Sequence, residues 1–161
     1  MLVHIKVAAG GKPLESKNMN LKDDANLEST ILIVDDDAEY TSLLAFSFQC
    51  RGFKTIDARS ATEALALLLG GFTGKVAAVL TDLHMNEGSG PDLARAMGLL
   101  RSRVPVYFMT GDPGFDSAEA ISLGAEGVLY KPFDIGEAVK KIADAIEQRK
   151  KSGTNGQNRT A

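Results

Sequence analysis

The 161-residue chain has a single cysteine, Cys50, so it holds no intrachain disulfide and no cysteine-built zinc cluster. It also lacks a long apolar run: no stretch reaches the roughly 18 residues needed to span a bilayer. Residues 1–11 offer one lysine, a short apolar stretch and no cleavage signal, which gives secretion no support. The expectation is a cytoplasmic protein with no membrane partner. A basic surplus is missing too. The formal charge is −3; residues 1–29 balance to zero, and residues 148–161 carry Arg149, Lys150, Lys151 and Arg159 without an acid, which leaves −7 on the body between them. An acidic body repels nucleic-acid phosphates, so no nucleic-acid partner is expected. What is present is ordinary for a globular protein: 44% hydrophobic and 24% charged residues, in a length that suits one domain.

Residues 1–29 show no sustained period. Gly10-Gly11, Pro13 and the polar run 15–20 break any pattern, so this reads as a flexible leader, with a short strand at Leu2–Ala9 as the alternative. Residues 149–161 read as a disordered basic tail. The expected domain is 30–148. Within it, wholly apolar runs recur at Ile31–Val34, Val76–Leu80, Val104–Met109 and Val128–Tyr130, with a weaker one at Phe53–Ala58. Strands buried on both faces of a parallel sheet read this way.

Helical periods fill the gaps. Tyr40, Leu43, Leu44 and Phe48 share one face, as do Ala61, Ala64, Leu65 and Leu68, and again Ile135, Val139, Ile142 and Ile146. Ser60 with Glu63, Asp116 with Glu119, and Asp134 with Glu137 have capping-box spacing. Gly90-Pro91 opens a helix, and Gly52 and Gly124 stand where helices should stop. Five βα units result, an α/β fold with right-handed crossovers and helices on both faces of an open sheet. In such sheets the site lies outside the carboxyl ends of the strands.

Those ends carry Asp35-Asp36-Asp37, Thr81-Asp82, Thr110-Gly111 and Lys131-Pro132. Clustered carboxylates repel one another, and a hard divalent cation such as Mg²⁺, which prefers oxygen ligands, resolves that repulsion. A carboxylate in such a site can attack phosphorus and form an acyl phosphate, whose oxygens a hydroxyl and an ammonium suit. Taken singly, the acids also suit a solvated turn, with Asp37 as a helix N-cap. Cys50 reads as a small buried hydrophobe. Gly111 ends a strand and leaves room for phosphate.

Five motifs in order, ILIVDDD at 31–37, VLTDLHM at 79–85, Gly90, FMTG at 108–111 and LYKPF at 129–133, resemble the receiver domain of two-component response regulators. The resemblance covers residues 30–148 and implies a flavodoxin-like, doubly wound five-stranded sheet of order 2-1-3-4-5. It implies Asp82 as phosphoacceptor, Asp35 and Asp36 as the acidic pair holding Mg²⁺, and the backbone carbonyl of His84 as a further metal ligand. Thr110 matches the switch hydroxyl and Lys131 the phosphate-pairing lysine, with a cis Lys131-Pro132 bond. The implied partner is a histidine kinase or histidine phosphotransfer protein, with an unknown output protein. The expected molecule is a stand-alone receiver that turns over no external substrate.

Two positions depart from the family pattern: Asn86 replaces a usual proline, and Val128 a usual aromatic. Val128 is short and β-branched, so output is expected to pass through Thr110 and the loop 111–115 instead. Two rival readings stand beside this one. A haloacid-dehalogenase-like phosphohydrolase would use Asp35 and Asp37 with Thr110 and Lys131, but leaves Asp82 unexplained. A receiver-like binding module would carry no phosphate.

Overall fold

The apolar runs become strands and the periodic segments helices in a computed structural model that describes residues 29–72 and 76–154. The elements are β1 (Thr30–Val34), α1 (Ala38–Gln49), β2 (Lys54–Ala58), α2 (Ala61–Leu67), β3 (Val76–Asp82), α3 (Gly90–Leu99), β4 (Val106–Thr110), α4 (Ser117–Ser122), β5 (Gly127–Tyr130) and α5 (Ile135–Thr154). The strands pair in parallel in the order β2-β1-β3-β4-β5. The leader, including Leu2–Ala9, lies outside the described residues.

Each strand of the sheet's centre feeds two cores, which is why its sequence does not alternate. Leu32, Val34, Val79 and Phe108 face α2, α3 and α4, where Ala64, Leu93, Met97 and Ala120 are buried. Ile31, Ile33, Leu80 and Met109 face α1 and α5, where Leu44, Phe48, Val139, Ile142 and Ile146 are buried. β2 pairs only with β1 and is half exposed, which accounts for its weaker apolar signal. The turn after α2, Leu68–Phe72, widens to a π-wound form and breaks at Gly71.

The caps fall where the spacing places them. Ser60, Asp116 and Asp134 accept hydrogen bonds from the N–H groups of Glu63, Glu119 and Glu137. Glu63 returns its bond to the Arg59 N–H rather than to the cap residue. The full reciprocal box belongs to Ser89 and Asp92 at the start of α3, with Pro91 in the first turn. Gly52 and Gly124 adopt the left-handed conformation just beyond α1 and α4.

Three expectations are corrected. Leu43 is exposed, and Thr41 takes its place in the α1 core, its hydroxyl donating to the Asp37 carbonyl. Cys50 is exposed, because it caps α1 on the side away from the sheet-facing Leu44 and Phe48. α5 runs to Thr154, past the expected start of the tail at 149. Arg149 pairs with Glu126 and donates to the Arg103 carbonyl, and Lys150 donates to Ser29 Oγ, so these cations are anchored on the helix.

The register sets the site. Val34 lies opposite Thr81, so Asp35 and Asp82 leave neighbouring strands side by side. Thr110 lies opposite Tyr130, so Lys131 emerges one strand further on. Gly90 brings α3 close beneath this rim: a Cβ there would stand 2.7 Å from the Asp82 carbonyl oxygen and 3.3 Å from the Phe108 ring. Gly98, in the same helix, faces open space. Gly90→Ala is therefore expected to destabilise the fold by about 1–3 kcal/mol, while Gly98→Ala stabilises it by about 0.5–1 kcal/mol. Urea denaturation of both variants checks the pair; equal effects would show that the close approach at Gly90 is relaxed in solution.

Candidate functional site

The site is built from the carboxyl ends of four strands and centres on an ammonium group. Lys131 Nζ lies 2.7 Å from Asp82 Oδ1 and 2.8 Å from Asp35 Oδ2. Asp35 is 2% exposed and Asp82 14%. Two carboxylates this far out of water would repel strongly without a shared cation. The remaining oxygens are held by backbone: Asp35 Oδ1 accepts from the Asp37 N–H at 2.9 Å, and Asp82 Oδ2 from the His84 N–H at 3.0 Å. Burial works against the lysine's charge, but the bonds to Asp35 and Asp82 outweigh it and raise the Lys131 pKa above its ordinary value. The stability this ion pair confers is thus complete below the ordinary lysine range and is lost as pH rises through the raised value.

Asp36 sits beside this cluster on the exposed side. Its Oδ2 accepts from both the N–H and the Nδ2 of Asn86, at 3.1 and 2.7 Å. Thr110 is buried at the end of β4, and its Oγ1 accepts from the Asp112 N–H at 3.0 Å. The structure thus brings Asp35, Asp82 and Lys131 into direct contact. It sets Asp36 and Thr110 at the margins, each engaged by a loop. His84 contributes through its backbone, and an antiparallel bridge from His84 to Ser89 closes the β3–α3 loop. The Lys131-Pro132 bond is cis. A Cβ at Gly111 would meet nothing, so that position is open.

Asp37 is the N-cap of α1: its Oδ1 accepts from the Glu39 and Tyr40 N–H groups. That occupies the second acid of the phosphohydrolase reading and argues against it. Val128 is half-buried and packs against the core facing α2 to α4. Phe115, buried at the end of the 111–115 loop, tilts against Phe108 with ring centroids 6.1 Å apart.

The oxygen-only donor set fits a hard cation. Among the described residues no group of three or more His, Cys, Asp or Glu is placed to hold a metal ion. An open, carbonyl-supplemented pair of carboxylates suits Mg²⁺, which keeps several of its waters. Asp35, Asp36 and Asp82 with the His84 carbonyl are the groups that would hold it.

Sequence reasoning missed Tyr40. Its ring lies under Lys131, Nζ 4.4 Å from the centroid, and meets Phe133 edge-on at 5.9 Å. Burial raises the Tyr40 pKa, the Lys131 charge opposing and Asp35 and Asp82 adding to the rise. The spacing on α1 already turned Tyr40 inward, but nothing local linked it to a lysine 91 positions later.

A parallel, doubly wound α/β sheet with an acidic rim and a lysine at its carboxyl edge belongs to the CheY-like class of folds. The chain is a member of the response regulator receiver domain family, whose model matches residues 31–143, and so is a receiver domain of a two-component system. Among curated proteins, the response regulator SaeR of Staphylococcus aureus strain USA300 is 28% identical over 122 residues, covering 75% of this chain and 52% of its own length. The chain therefore spans about half the length of the curated relatives it matches. Among solved structures, the receiver domain of Francisella response regulator 1452 has a TM-score of 0.68 at 22% identity, covering 74% of this chain and 98% of that one. A CheY-like receiver domain protein from Methanospirillum hungatei JF-1 has a TM-score of 0.69 at 24% identity, covering 77% and 98%. Among the described residues no helix is long and apolar enough to cross a membrane.

The Tyr40 hydroxyl is buried with no hydrogen-bond partner among the described residues. Tyr40→Phe is accordingly expected to keep or raise stability, by up to about 1 kcal/mol, because it removes an unsatisfied group. Tyr40→Leu loses the ring beneath the ammonium and lowers stability by about 1–2 kcal/mol. Thermal melts of both variants test this, and a clear loss in Tyr40→Phe would mean that the hydroxyl is bonded.

Proposed function

We propose that Asp82 is the phosphoacceptor of this receiver, with Lys131 and Thr110 as the groups that meet the phosphoryl oxygens. The observation that carries this reading is the single ammonium bonded to both Asp82 and the buried Asp35. A carboxylate oxygen of Asp82 attacks the phosphorus of a phosphohistidine. The P–N bond breaks, its electron pair stays on the imidazole, and an acyl phosphate forms on Asp82. Water later attacks the phosphorus and releases inorganic phosphate, which restores the carboxylate. A divalent cation held by Asp35, Asp36 and Asp82 with the His84 carbonyl would supply charge neutralisation for the transferring group.

The chain's own residues account for the rest. Lys131 is already beside Asp82 Oδ1 and can follow a new phosphoryl oxygen with little movement. The Thr110 hydroxyl, which accepts from the Asp112 N–H, can turn to donate to that oxygen. Turning it releases the Asp112 N–H, and the loop from Gly111 to Phe115 then shifts around the Phe115–Phe108 contact into α4. This route needs no aromatic at Val128. The donor is a histidine kinase or a phosphotransfer protein, and the output is altered binding of a partner or passage of the phosphoryl group to another histidine. The expected setting is the cytoplasm, and no turnover of an external substrate is expected.

Intact-mass spectrometry after treatment with acetyl phosphate and Mg²⁺ tests the assignment. Wild type should gain one phosphoryl group that hydroxylamine removes, Asp82→Asn should gain none, and Thr110→Ala should still be modified. Modification of Asp82→Asn at the wild-type level would place the acceptor elsewhere, and modification of Asp35 alone would favour the phosphohydrolase chemistry.

A further inference from the structure

Asn86, in the loop between β3 and α3, makes two hydrogen bonds that a proline there could not make. Its backbone N–H and its side-chain Nδ2 both converge on one oxygen of Asp36, Oδ2, at 3.1 and 2.7 Å. Neither donor touches Oδ1. The two residues are 50 positions apart, so the bonds tie the β1–α1 loop to the β3–α3 loop. Two residues earlier, the His84 N–H holds Asp82 Oδ2 at 3.0 Å. The segment 84–86 is thus tethered at both ends to acids of the site, and the His84 carbonyl lies on the stretch between the tethers.

Asp36 is exposed, so without these bonds its side chain would sample several rotamers and pay to order itself on binding a cation. Partners that orient a ligand from behind raise its affinity for the metal, because the free oxygen is already aimed. We propose that Asn86 is a positioning residue of the cation site. It fixes Asp36 with Oδ1 presented and holds the His84 carbonyl segment beside it, so that affinity for a divalent cation depends on the Asn86 amide. This rests on the reading of Asp36 as a cation ligand.

The test is isothermal titration of Mg²⁺ into the full chain, for wild type, Asn86→Ala, Asn86→Pro and Asp36→Asn, with melts of each in the absence of Mg²⁺. Asn86→Ala removes one donor and keeps the backbone N–H; Asn86→Pro removes both. Asn86→Ala should raise the Mg²⁺ Kd about tenfold, the lower end of the cost of losing such a partner, and Asn86→Pro at least as much. The metal-free melting temperature of Asn86→Ala should stay close to that of wild type, which separates positioning from folding. An unchanged Kd in Asn86→Ala would overturn the proposal, as would tighter binding, which would mean that the amide competes with the cation. Equal Mg²⁺ binding by wild type and Asp36→Asn would remove the cation-site reading itself, and the proposal with it. Loss in Asp36→Asn with no change in either Asn86 variant would remove the proposal alone.

Discussion

Two carboxylates placed side by side and largely out of water are unstable unless a cation sits between them, and the Lys131 ammonium meets that constraint. Asp35 is almost fully buried, and both it and Asp82 lie within hydrogen-bond distance of Nζ. Each link to the fold is a consequence of sheet order. β1 and β3 are neighbours, so the acids at their ends meet; β4 separates β3 from β5, so only a long, flexible side chain after β5 reaches back to them. Tyr40 from α1 closes the far side of the ammonium with its ring.

The same constraint explains why the site is poised. The ammonium balances part of the acidic charge, and backbone N–H groups from 37 and 84 take the oxygens it leaves. Little of this is soft. Asp35 and Asp82 are set by strands, and Gly90 lets α3 press against the carbonyl of Asp82. The parts that can yield are the loops: Thr110 with Asp112 on one side, and Asp36 with Asn86 on the other. A change of charge at Asp82 therefore reaches loops before it reaches strands, which is where a signal must leave a rigid sheet.

Much of the architecture was legible because buried parallel strands leave an unmistakable pattern. Ile31–Val34 and Val76–Leu80 are apolar on both faces and stop abruptly at acids. The grouping of Asp35, Asp82 and Lys131 followed once those ends were laid on one rim. α1 was harder to read. It hides Thr41 and exposes Leu43 and Phe46, so polarity misreports which face is inside, and Cys50 was misplaced for the same reason. The end of α5 was obscured because Arg149 and Lys150 look like a solvated tail; their partners, Glu126, the Arg103 carbonyl and Ser29, come from distant parts of the chain. The contacts of Asn86 with Asp36 and of Tyr40 with Lys131 were invisible for that reason too. Both join loops or elements whose approach only the folded register defines.

The family places the chain among receiver domains, and the geometry says which interaction organises the acidic rim. Urea denaturation of Lys131→Met against wild type, repeated from neutral pH into the alkaline range, tests that claim most directly. Removing the ammonium leaves two buried carboxylates facing each other, so Lys131→Met should lose about 3–5 kcal/mol at neutral pH. The gap should narrow as pH rises through the raised Lys131 value, where wild type loses the same ammonium charge. A variant as stable as wild type at neutral pH, with a parallel pH dependence, would contradict the account.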